Sequence, residues 1–64
     1  MIILHRLNDT TLCLNEDHIE YMEETPDTII HLTNERKYVV REKIEDIIEL
    51  IAAYRAKINA GLRF

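Results

Sequence analysis

His5, His18 and His31 are the side chains with the widest chemical repertoire here, because a neutral imidazole ligates metals and a protonated one donates. They stand thirteen and thirteen residues apart, each on a different expected strand or its edge, and none at the short spacing that builds a metal pair. The lone Cys13 alternates with Leu12 and Leu14, the pattern of a strand residue that either packs as a small apolar group or faces solvent on an edge. With no second cysteine an internal disulfide is excluded, and no basic neighbour in sequence marks the thiol as reactive. There is no Ser/His/Asp or Cys/His constellation and no Gly-rich phosphate loop. These residues point to no enzyme, no cofactor and no metal.

Charged residues offer surfaces instead. Glu16-Asp17, Glu20 and Glu23-Glu24 form an acidic stretch leading into Pro26, either a solvated face or a docking surface for a basic partner whose binding weakens with salt. Arg36, Lys37, Arg41 and Lys43, with Arg6 across the sheet, form the opposite candidate, a small basic patch. Eight Lys and Arg against twelve Asp and Glu give a net charge of −4, the wrong sign for a protein held to nucleic acid by bulk electrostatics.

The elements that must position these groups fit one domain, residues 1–64, since a chain this short has no room for a second. One Gly and one Pro leave little linker material, and no internal repeat is evident. Residues 1–41 read as β-rich: short apolar runs with rough alternation place strands near Ile2 to Leu7, Thr11 to Leu14, Ile19 to Glu24, Thr28 to Thr33 and Lys37 to Arg41. Hairpin-length connections predict a single small antiparallel sheet. Pro26 followed by Asp27 suits a type I turn, whereas Asn34-Glu35 lacks the Gly of a two-residue hairpin and predicts a longer loop through Arg36.

Residues 42–61 change period. Ile44, Ile47, Ile48, Ile51, Tyr54, Ile58 and Leu62 recur at helical spacing, with Glu42, Glu45, Asp46 and Glu49 early and Arg55, Lys57 and Arg63 late, matching the helix dipole. The fold class is therefore α+β, about five short antiparallel strands followed by one C-terminal amphipathic helix. Ile44, Ile47, Ile48 and Ile51 are expected to pack on the sheet. The helix outreaches strands of this length, and a chain this small hides only about 60% of its unfolded surface. A homo-oligomer is expected to cover Tyr54, Ile58 and Leu62.

Three segments carry a family likeness: Met1-Ile2-Ile3-Leu4-His5-Arg6-Leu7-Asn8, Glu23-Glu24-Thr25-Pro26-Asp27-Thr28, and Leu32-Thr33-Asn34-Glu35-Arg36-Lys37-Tyr38-Val39-Val40. Together with the helix behind them they resemble, over nearly the whole chain, the short flagellar proteins of the FlbD or swarming motility SwrD family. The family pattern usually carries Gly where this chain has Asp9 and Glu35, both in expected turns. The resemblance implies a non-enzymatic bacterial accessory of flagellar motility that supports motor power or swarming by binding a stator or rotor component. It places the protein in the cytoplasm, peripheral to the motor. The contact surface it suggests is the rigid turn of Glu24, Pro26 and Asp27.

A second likeness leads to another class of function. The opening Ile-Ile-Leu-His-Arg and the Val39-Val40-Arg41-Glu42-Lys43-Ile44 junction also resemble the small carbon-storage regulators, dimers that bind messenger RNA. On that analogy Arg6 and Arg41 contact RNA, against the net charge of the chain. No apolar run approaches the roughly 20 residues of a membrane span, so no membrane insertion is expected, and the amino terminus does not read as an export signal.

Overall fold

A computed structural model describes residues 1–61. Its order is β1 (Ile2–His5), β2 (Thr11–Leu14), a short 3₁₀ turn (Glu16–His18), β3 (Ile19–Glu24), β4 (Thr28–Leu32), β5 (Lys37–Val40) and α1 (Ile44–Gly61). The five strands and the helix lie within two residues of where alternation and helical spacing put them. The sheet is different: β1-β2 and β3-β4-β5 form two separate antiparallel sheets rather than one. β1 stops at His5, short of Leu7, because the chain enters its turn there. Among the described residues, a single bridge, Arg6 to Val40, and a hydrogen bond from the Arg41 N–H to the His5 carbonyl (2.8 Å) then join the backbones of the two sheets.

Both hairpins that meet at this junction are closed by the same loop. The Asp9 N–H bonds the Arg6 carbonyl (3.0 Å) and the Arg6 N–H bonds the Thr10 carbonyl (2.9 Å). In the second hairpin Glu35 N–H bonds the Leu32 carbonyl (3.1 Å) and Leu32 N–H bonds the Arg36 carbonyl (2.8 Å). In each, an Asn at the same place accepts the amide two residues on, Asn8 from Thr10 at 3.2 Å and Asn34 from Arg36 at 3.0 Å. This is a type I turn followed by one left-handed residue, the arrangement of a three-residue hairpin loop with a bulge. The left-handed residues are Asp9 (φ 69°) and Glu35 (φ 70°). A loop unit therefore recurs where the sequence showed no repeat. The third hairpin differs: Glu24 pairs with Thr28, leaving three residues to reverse the chain, and the Thr25–Pro26 bond is cis. Within it the Thr25 N–H bonds the Asp27 carbonyl (3.2 Å).

Strand alternation sorts the side chains into a core. Ile2 and Leu4 of β1, Leu12 and Leu14 of β2, Ile30 and Leu32 of β4, and Val40 of β5 are buried, while Ile3, His5, Thr11 and Cys13 between them face solvent. The helix closes this core with Ile47, which is fully buried, flanked by Ile51 and Tyr54 packed against it. Ile48, expected on the sheet, is 55% exposed. Successive helical residues point about 100° apart, and two sheets this small reach only the line through Ile47. Leu50 and Ile58 are also exposed, so the broad apolar stripe is not buried as a whole. The molecule measures 42 × 23 × 19 Å, longer than a compact chain of its length because α1 outruns the strands.

Two measurements follow from this packing. Ile47→Ala is expected to cost about 2–4 kcal/mol and Ile48→Ala less than about 0.5 kcal/mol by urea unfolding; equal costs would refute the observed helix face. Replacing Glu35, a non-Gly residue in the left-handed region, by Gly is expected to raise stability by about 0.5–1 kcal/mol, read as a higher urea midpoint at unchanged slope.

Candidate functional site

The most connected polar cluster lies at the seam between the sheets and the start of α1. Alternation leaves the His5 backbone groups pointing away from β2, toward the chain that leaves β5. The His5 N–H donates to Glu42 Oε1 (2.9 Å) and its ring Nδ1 lies 2.6 Å from Oε2, so one carboxylate clamps both backbone and side chain. Burial opposes ionisation of Glu42, but the hydrogen bonds from the His5 ring and the His5 and Glu42 backbone N–H groups together hold its pKa below the ordinary 4.5. A second carboxylate, Glu24 at the end of β3, accepts the Ile44 N–H at 2.9 Å. This supplies the first turn of α1 with an acceptor from another strand, where the helix dipole favours negative charge.

Glu24 thus has a partner within the fold, while Pro26 and Asp27 beside it are exposed in the three-residue loop. Arg6 and Arg41, the residues of the RNA analogy, are brought to the same seam. There the Arg6 guanidinium lies 5.8 Å from the Tyr38 ring centre and donates weakly to Thr10 Oγ1 at 3.4 Å, and Arg41 forms a surface ion pair with Asp9. Each has a neighbour within the chain, and Arg41 stays exposed. Tyr54 is half-buried against the core, Ile58 is exposed, and Leu62 lies outside the described residues.

The acidic stretch divides by role. Glu16 is buried, and its carboxylate sits 2.7 Å from the amino group of Met1, which chiefly holds its pKa low against the opposing effect of burial. Glu23 accepts from His31 Nε2 at 2.8 Å, and the His31 ring stacks on Tyr21 with centres 4.1 Å apart and planes 9° off parallel. Asp17 accepts from Arg55 at 3.1 Å, tethering α1 to the 3₁₀ turn. The sequence groups Glu16 with the acidic stretch and Glu42 with the acids that open the helix, but names the partner of neither. The signal for Glu42 was its position just before the helix; its partner His5 lies 37 residues away and leaves no local trace. The three histidines stay apart, and among the described residues no group of His, Cys, Asp and Glu could hold a metal and no pocket is found.

Five short antiparallel strands in two sheets, closed by one helix, are the frame on which the family likeness rests. Residues 1–59 match the FlbD family, flagellar and swarming motility proteins, and the chain belongs to that family. It is a family of motility-associated proteins and not a known enzyme family. No curated protein and no solved structure matches the chain. No helix among the described residues is long and apolar enough to cross a membrane.

The Glu42 clamp has a pH signature. A carboxylate whose folded pKa is lowered contributes stability that is present above its unfolded pKa and lost as pH falls through the folded value. Glu42→Gln is expected to cost about 1–2 kcal/mol at neutral pH and to lose less than the parent chain on acidification below about pH 4.5. Urea titrations at neutral pH and near pH 3 check both; a cost unchanged between them would refute the clamp.

Proposed function

We propose that this protein is a non-enzymatic accessory of bacterial flagellar motility that raises motor power or supports swarming by binding a component of the motor, stator or rotor, from the cytoplasm. Membership of a flagellar and swarming motility family over residues 1–59 is the observation that carries this reading. The proposed contact surface is the loop after β3. Pro26 and Asp27 are exposed there, in a loop held by the Glu24–Thr28 pairing and by the Thr25 N–H bonded to the Asp27 carbonyl (3.2 Å), so docking costs little ordering entropy. Glu24 holds the start of α1 and sets the position of the loop. With Glu23 and Asp27 near it, the surface suits a basic segment of the partner.

The test is a clean deletion in the source bacterium complemented with the parent chain, with Asp27→Lys, or with Arg6→Ala and Arg41→Ala together. Torque on tethered cells, flagellar number and flagellin messenger are the readouts. Normal flagella and messenger with reduced torque in the deletion, not restored by Asp27→Lys although that chain folds with parental stability, is the expected result. Altered messenger or flagellar number at unchanged torque, reproduced by the arginine variants, would replace this reading with the RNA-binding one.

A further inference from the structure

Among the described residues β1 and β5 meet at the Arg6–Val40 bridge, while two edge strands have no bridge on their outer side, β2 pairing only with β1 and β3 only with β4. They differ in chemistry. The β3 edge carries Glu20, Glu23 and Glu24, charges that repel another acidic chain, whereas β2, Thr11-Leu12-Cys13-Leu14, carries none and no Pro. The bond from the Arg6 N–H to the Thr10 carbonyl sets the phase of the β1-β2 ladder. Counting from it, Leu12 and Leu14 turn their backbone groups toward Leu4 and Ile2, and Thr11 and Cys13 turn theirs outward. The same phase turns the His5 backbone off the far side of β1, where Glu42 and Arg41 meet it. Thr11 and Cys13 are both exposed.

An edge with a donor and an acceptor on each of two residues flanking Leu12 is its own complement under a two-fold rotation. We propose that β2 pairs antiparallel with β2 of a second copy, Thr11 opposite Cys13 and Leu12 opposite Leu12, joining two β1-β2 hairpins into one four-stranded sheet. The pairing gives the outward N–H and C=O groups partners and covers Leu12, the most exposed of the core side chains at 9%. It extends on the outer face beside Ile3, which pairs with Cys13 and is 58% exposed. Side chains meeting across the axis are small or apolar. The homo-oligomer is thereby assigned to this edge and not to the Tyr54–Ile58 end of α1.

Sedimentation equilibrium across the micromolar range is expected to show a dimer. Cys13→Lys, a solvent-facing change that puts charge on the edge, should weaken association by at least about tenfold while leaving urea unfolding of the dilute chain unchanged. Register is read by oxidation of the full chain. Opposed residues of a hydrogen-bonded antiparallel pair lie about 5.5 Å apart, inside the disulfide range, while the two native Cys13 residues would lie on a diagonal of about 7–8 Å. Thr11→Cys should therefore give covalent dimer under mild oxidation and the parent chain should not. A monomeric parent chain, no covalent dimer from Thr11→Cys, or a dimer that survives Cys13→Lys but is lost in Ile58→Asp would each overturn the proposal.

Discussion

The pinning of His5 at the seam between the two hairpins is the constraint on which the rest of this fold depends. Its N–H and ring are held by Glu42, its carbonyl takes the Arg41 N–H, and the next residue, Arg6, makes the one bridge to Val40. Without these contacts β1-β2 and β3-β4-β5 share no ladder. The core lying beneath both consists, among the described residues, of Ile2, Leu4, Leu12, Leu14, Ile30, Leu32, Val40 and Ile47, too few for either sheet to bury its face alone. The seam brings the two inner faces together, and one helical residue, Ile47, closes them.

That economy governs what is left for function. Carboxylates that a charge count assigns to the surface are spent on structure: Glu42 on His5, Glu24 on the first turn of α1, Glu16 on the amino group of Met1. Two of the arginines also have neighbours within the chain, Arg41 in a surface pair with Asp9 and Arg6 beside the Tyr38 ring. What faces outward without an internal partner is narrower than the sequence suggests. It includes the Pro26-Asp27 loop, the uncharged β2 edge, apolar side chains of the exposed side of α1, and charged side chains such as Arg36, Lys37 and Lys43.

The two left-handed loop residues show one loop geometry used twice. A type I turn closing a hairpin needs a left-handed residue next, where Gly fits without steric cost. Asp9 and Glu35 occupy those positions with the same backbone bonds, so a residue other than Gly raises the cost of the loop without changing its shape. The matching Asn8 and Asn34 side chains, each accepting an amide two residues on, hold the turn in both places.

Much of this protein was legible in the amino-acid order, because strand and helix periods are local. Alternation through Ile2-Ile3-Leu4 and Thr11-Leu12-Cys13-Leu14 marks strands, and three- and four-residue steps from Ile44 mark the helix. The segments around Leu4-His5-Arg6, Glu24-Thr25-Pro26-Asp27 and Lys37-Tyr38-Val39-Val40 carried the family, and residues 1–59 match it. What tertiary structure alone decided involves groups far apart in the chain. The split into two sheets follows from where β1 turns away from β5, the exposure of Ile48 from how little surface two short sheets offer, and the roles of Glu42 and Glu24 from partners 37 and 20 residues distant. A periodic pattern says which face of an element is apolar; only the packed chain says how much of that face another element is wide enough to cover.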